Sequence, residues 1–174
     1  MSNRILEAIG NFDTATDQQS VAVIHPESPL HPQLGELWAA KVALSRSLYP
    51  AESDYSYSPA DLAVPHVLFL VAEVSGTFVG CGAAANQGDH GELKSVFVLE
   101  TMRGRRIGER LIVQLEAHMR QQGLPVARLE TGVDSHSALR LYTRMGYTRC
   151  GPFGDYTEDP LCVFMEKQLI EKPL

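Results

Sequence analysis

Cysteine is sparse in this chain, and what there is shows no pairing pattern. Cys81, Cys150 and Cys162 are the only three among 174 residues, and none forms a C-x-x-C pair. Such a set argues against a disulfide framework and for a reducing compartment. The six histidines lack H-E-x-x-H or comparable spacing, so no metal is expected. No apolar run approaches the roughly 18 residues of a membrane helix, and the first residues lack the basic-then-apolar pattern of a signal peptide. The expectation is a cytoplasmic protein with no membrane partner. Positive charge is short as well: the net charge is −6, which argues against a nucleic-acid surface over the whole chain. Two common phosphate fingerprints, G-x-G-x-x-G and G-x-x-x-x-G-K-[ST], are both missing.

What remains is an ordinary globular composition, 44% hydrophobic and 21% charged. The length suits one domain, expected over residues 20–174 behind a polar lead-in at 1–19. One stretch stands out from the acidic background. Arg103-Gly104-Arg105-Arg106-Ile107-Gly108 places arginines and glycines where a strand gives way to an amphipathic helix. The first N–H groups of a helix have no intrahelical partner, and the helix dipole adds positive potential there. Glycine lets an anion approach the backbone, so this turn reads as a phosphate site.

In chain order, Val21–His25 reads as a strand and Pro32–Leu48 as a helix, with Leu34, Leu37, Trp38, Leu44 and Leu48 on its apolar face. Tyr49–Pro59 is an acidic, tyrosine-rich loop, followed by a helical turn at Ala60–Ala63. His66–Val74 and Thr77–Ala85 form a hairpin, and Gly80 and Gly82 within it suggest a bulge or a close backbone approach. A strand over Glu92–Leu99 leads into a helix over Gly104–Gln122, where Ile107, Leu111, Leu115 and Met119 repeat every fourth residue. Val126–Glu130 reads as a strand parallel to the one before the helix. A helix capped by Ser135 or Ser137 runs to about Met145. Tyr147–Cys150 and Leu161–Gln168 are the last strands. The result is an α/β chain on a mixed, mostly antiparallel sheet, in the order β-α-β-β-β-α-β-α-β-β.

The Arg103–Gly108 turn resembles the [QR]-x-x-G-x-[GA] pyrophosphate loop of the GCN5-related N-acetyltransferases, the GNAT family, with Arg106 where that family has its inner glycine. Ala138-x-x-Leu141-Tyr142-x-x-x-Gly146-Tyr147 looks like the family's A-x-x-L-Y-x-x-x-G-[FY] block, and Ser135 stands where the family often has Asn. The order of elements is similar too, and Glu130-Thr131-Gly132 and Pro152-Phe153-Gly154 look like segments of a bacterial group of small uncharacterised acetyltransferases. The resemblance implies a GNAT fold and acetyl-CoA as cosubstrate. It also implies direct transfer of the acetyl group to an amine, with a homodimer as a family habit. Arg103, Gly104, Arg105, Arg106, Ile107 and Gly108 would hold the diphosphate, with Ser135 nearby. Val96, Phe97 and Val98 would present backbone groups to the pantetheine arm and the thioester, on a strand that in the family separates from its neighbour to admit the cofactor.

Period-two alternation puts Glu92, Lys94, Val96 and Val98 on one strand face. Glu92 is the candidate general base, or else a strand-edge carboxylate paired with Lys94. Lys94 would balance Glu92 or hold an acceptor's carboxylate. Tyr142 is the candidate general acid for the departing sulfur, against the alternative of a core tyrosine. Tyr49 and Glu52, in the acidic loop, would hold a small-molecule amine acceptor unless the loop is simply surface. Cys81 reads as buried and inert. Two rivals stand beside the enzyme: a non-catalytic sensor of acyl-CoA, and a polyanion-binding protein using the three arginines.

Overall fold

The computed structural model describes residues 21–50 and 57–170. The lead-in at 1–19 and the acceptor-loop residue Glu52 lie outside the described residues. The element order matches the sequence expectation. β1 (Val23–Pro26) is followed by a 3-10 turn (Pro32–Leu34) and α1 (Gly35–Leu48). The turn owes its start to His31, whose Nδ1 accepts from the Gln33 N–H, and to Pro32, which has no N–H to lose. α2 is one turn, Pro59–Leu62, closed at its start by a reciprocal capping box between Ser58 and Asp61. β2 (Val67–Val74), β3 (Thr77–Asn86) and β4 (Gly91–Val98) form a meander, and a 3-10 turn (Glu100–Met102) leads toward α3 (Ile107–Gln121). β5 (Val126–Gly132), α4 (His136–Arg144), β6 (Thr148–Cys150) and β7 (Cys162–Gln168) complete the chain.

The strands make one seven-stranded sheet in the order β1-β2-β3-β4-β5-β7-β6. Every neighbouring pair is antiparallel except β4 and β5, which run parallel because α3 crosses over between them. Two apolar layers sandwich the sheet. On one face Ile107, Leu111, Leu115 and Met119 of α3 are buried, as their spacing predicted, against Leu93, Ala127 and Leu129. On the other, Leu34, Leu37 and Leu62 cover Phe69, Val71, Cys81 and Ala83. The apolar stripe expected along α1 divides: Leu37 is buried and Trp38 packs 5.6 Å from the Phe69 ring, but Leu44 and Leu48 are exposed.

Two backbone features correct the sequence reading. The helix expected from Gly104 begins at Ile107 instead, because Arg106 adopts a left-handed conformation, φ 59° and ψ 18°. That geometry suits glycine and strains a side-chain-bearing residue. Second, β4 carries an extra residue: Lys94 faces Ala83 but Phe97 faces Cys81, and Ser95 between them has φ 52°. This bulge reverses the phase of the strand. Val96 and Val98 therefore join the α3-side core with Leu93, while Glu92 and Lys94 share the opposite face with Phe97. Strict alternation over Glu92, Lys94, Val96 and Val98 fails for this reason. Gly82 lies opposite the bulge, where a Cβ would come 3.1 Å from Leu115 Cδ1.

Candidate active site

The parallel partners β4 and β5 pair over only three positions, Gly91 with Ala127, Glu92 with Arg128 and Leu93 with Leu129. Beyond them the strands diverge. Glu130–Gly132 continue to pair with β7, whereas Lys94–Val98 have no partner on the β5 side. A cavity of about 830 Å³ opens in this gap, walled by β4 from Leu93 to Val98, the end of β5, the start of α4 and the C-terminal half of α1. Leu44 and Leu48, out of place in a buried stripe, line it.

The turn before α3 forms one end. Arg103, Gly104, Arg106, Ile107 and Gly108 line the cavity; Arg105 does not. Gly104 has φ 79°, and the left-handed Arg106 that follows turns the chain sharply into α3. No side chain caps α3, so its first amides are available to a ligand. The Arg103 Nε donates to the Val98 carbonyl at 3.3 Å, while Arg106 is 83% exposed and only loosely paired with Glu109 at 3.9 Å. Gly108 allows α4 to close on α3, since a Cβ there would lie 3.0 Å from Leu141 Cδ2.

Opposite the turn, Tyr49 ends α1 and braces the start of α4. Its hydroxyl shares a 3.0 Å hydrogen bond with Ser135 Oγ and accepts from the Asp134 N–H at 3.0 Å. Its ring fills the space above Gly132, where a Cβ would meet Tyr49 Cζ at 2.1 Å. Ser135 begins α4 without capping it, because its hydroxyl is taken up by Tyr49.

At the floor, Lys94 and Glu92 are 6% and 4% exposed and form a buried ion pair. Tyr156 joins them: Lys94 Nζ donates to its hydroxyl at 2.8 Å, and that hydroxyl donates to Glu92 Oε1 at 2.9 Å. Gln87 Nε2 donates to the other carboxylate oxygen at 3.2 Å, and the Lys94 ammonium sits 3.9 Å from the Tyr57 ring centroid. Lys94 lines the first cavity, whereas Glu92 lines a second of about 650 Å³; Tyr57 and Tyr156 wall both. Tyr142 also lines the first cavity, edge-on to Tyr147 with ring centroids 5.8 Å apart. Burial, and then the charge of Glu130, push its hydroxyl well above the usual tyrosine range. Glu130 lies half-buried in the same cavity; burial raises its carboxyl, partly offset by a hydrogen bond from Cys162. Burial likewise pushes the Cys81 thiol up to about 12, so it is inert.

Comparison with known proteins agrees with this geometry. The Acetyltransferase (GNAT) family pattern matches residues 35–147. The IAA acetyltransferase of Azospirillum brasilense is 45% identical over 145 residues, 82% of this chain and 95% of that protein. The chain belongs to the GNAT acetyltransferase family. YsnE of Bacillus subtilis, an uncharacterised N-acetyltransferase, is 31% identical over 69% of this GNAT chain and 82% of its own. A Klebsiella pneumoniae structure described as an acyl-CoA N-acyltransferase superposes with a TM-score of 0.73 at 35% identity, covering 87% and 99% of the two chains. The PaiA N-acetyltransferase of Thermoplasma acidophilum, solved with coenzyme A, shares the GNAT fold at a TM-score of 0.68 and 18% identity, over 84% and 98%.

Against this GNAT frame, the candidates from sequence converge on one cleft. Val96, Phe97, Val98, Lys94, Tyr142, Tyr49, Ser135 and most of the Arg103–Gly108 turn line the first cavity, and Glu92 stands just behind its floor. Two residues given no role by the sequence belong to the site, Glu130 and Tyr156, and Tyr57 of the acidic, tyrosine-rich loop joins them. Glu130 is the first β5 residue past the paired rungs, and only the divergence of the strands reveals it. Tyr156 lies in an irregular segment far along the chain from Glu92, with no periodic pattern to mark it. Among the described residues no helix is long and apolar enough to cross a membrane, and no group of His, Cys, Asp and Glu is arranged to hold a metal.

Proposed function

We propose that this protein is an acetyl-CoA-dependent N-acetyltransferase for a small amine, carrying out direct transfer in the gap between β4 and β5. The observation that carries the reading is the early end of β4–β5 pairing beside an uncapped helix start. Together they provide a slot with free backbone groups along one wall and an electropositive end. Acetyl-CoA supplies an activated acetyl thioester and a diphosphate. The amides of Ile107 and Gly108, with the guanidinium of Arg106, suit the diphosphate. The unpaired backbone of Val96–Val98 offers N–H donors that polarise the thioester carbonyl and stabilise the negative charge formed as nitrogen attacks.

The attacking amine must be neutral. Glu92 is the assigned proton acceptor: Oε1 is taken by Lys94 and Tyr156, but Oε2 bears only the Gln87 amide, and the residue lines the second cavity. As the carbon–sulfur bond breaks, the electron pair leaves on sulfur and the Tyr142 hydroxyl donates to it. Burial keeps that hydroxyl protonated, so it is present as a donor whenever the thiolate forms. Ser135 and Tyr49 hold the start of α4 in place at the cleft mouth.

Calorimetry with acetyl-CoA, followed by thiol-release assays against a panel of amines, tests the reading. Binding is expected, together with amine-dependent release that falls about 10²-fold or more in Glu92→Gln. Uptake of the thioester without release for any amine would leave an acyl-CoA sensor; no uptake at all would overturn the assignment.

A further inference from the structure

The second cavity contains a group that the chemistry above leaves unexplained. His90 is 5% exposed and lines this cavity, and its Nε2 is buried without a hydrogen-bond partner. Its other nitrogen lies 2.6 Å from Asp89 Oδ1. The imidazole contact holds the Asp89 carboxyl below its usual range, so that carboxylate accepts and Nδ1 donates. With Nδ1 committed to Asp89, Nε2 is the ring atom left without a partner. The ring cannot swing away to find water, because Asp89 holds one edge and Phe153 packs against it in a T-shaped contact at 5.4 Å.

Carboxylates dominate the rest of the wall. Glu92 lines this cavity, and the carboxylates of Asp61 and Asp155 extend the wall. Neither Asp61 nor Asp155 is matched by a basic side chain among the described residues. Of the donors in the wall, Gln87 Nε2 donates to Glu92, and Arg128 donates its Nε to Glu166 at 3.2 Å. Among the described residues the Arg128 guanidinium stands against the four carboxylates of Asp61, Asp89, Glu92 and Asp155, and this excess of negative charge favours a ligand that brings donors and positive charge. The shared walls of Tyr57 and Tyr156 put such a ligand one side chain from the acyl cleft.

We propose that this second cavity is the acceptor seat, and that it selects a compact amine carrying at least two nitrogens protonated in solution. One nitrogen loses its proton at Glu92 and attacks. The other stays charged, donating to His90 Nε2 and neutralising Asp61 and Asp155. This rests on the acetyltransferase reading and adds to it the class of acceptor.

The test compares 1,4-diaminobutane with 1-aminobutane by thiol release, and by calorimetry on the protein saturated with coenzyme A. The diamine is expected to exceed the monoamine in kcat/KM by about 10-fold or more, and to bind the coenzyme complex measurably where the monoamine does not. His90→Phe and the exposed-site variant Asp155→Asn should each remove most of that preference while leaving coenzyme A affinity within about 2-fold, which also reports that the fold is intact. Equal treatment of the two amines by the unaltered protein, or a preference that survives both variants, overturns the proposal. Failure to bind coenzyme A at all counts against the acetyltransferase reading instead, so the two failures are told apart.

Discussion

The Tyr142 hydroxyl is enclosed by the core on one side and borders the acyl cleft on the other. Its ring packs against Tyr147. Tyr142→Phe keeps the ring and removes the donor. The expected result is a kcat lower by about 10- to 100-fold with acetyl-CoA affinity changed by less than about 2-fold; equal losses in both would make the hydroxyl structural. Two of the polar residues at the floor were legible from the chain itself, because Glu92 and Lys94 are separated by one residue on a strand, and period two puts them side by side. Their third partner was not. Tyr156 reaches the pair from a segment with no regular structure, and nothing local in its sequence encodes a contact across such a distance. Glu130 was hidden for a different reason. Strand patterning reports which face a residue occupies, whereas its exposure to the cleft depends on where its neighbouring strand stops pairing.

The turn before α3 shows how an element can be located by its residues and still be bounded wrongly. Its three arginines and two glycines read as an anion site, and all but Arg105 line the cleft. The helix start was placed three residues early because Arg106 is an ordinary helix former that here takes φ 59°. Left-handed backbone at a non-glycine residue costs on the order of 1 kcal/mol or more. Arg106→Gly should therefore raise the Tm by about 2–4 °C while weakening acetyl-CoA binding through the lost guanidinium. Differential scanning calorimetry and isothermal titration would read the two effects separately. A variant that is less stable would mean that Arg106 is held by contacts stronger than its strain. The bulge at Ser95 is the other element-scale surprise. Gly80 and Gly82 on the facing strand signalled an irregularity nearby, but not that the extra residue belongs to β4. That single insertion keeps Val96 and Val98 in the core while Lys94 faces the opposite side of the sheet.

Across the whole molecule, Tyr142 and Tyr147 tie α4 and the chain after it to the α3 side of the core, and both hydroxyls are held well above the ordinary tyrosine range, chiefly by burial. Tyr147 also donates to the buried carboxylate of Glu116, which takes Lys167 and Arg120 as further partners. The sign of the linkage is fixed by these shifts. The unfolded chain gives up tyrosine protons near pH 10, the folded chain only at higher pH, so their contribution is complete below about pH 10 and declines above it. Urea unfolding should give stability insensitive to these groups up to about pH 9.5, then falling by about 1 kcal/mol per pH unit from each tyrosine. A flat response to pH 11.5 would contradict the burial of both phenols. The order of elements and the mixed sheet were legible because hydrophobic period and turn residues are local signals. The early parting of β4 and β5 was implied by the family resemblance alone, since it is a relation between two distant strands that no local pattern encodes. That parting divides the sheet into two slabs, β1 to β4 and β5 with β7 and β6, joined through the three rungs at Gly91–Leu93. A guest lodged between the slabs would fasten them together, so amide exchange should slow on loading along both inner edges, at the three rungs as well as along the gap.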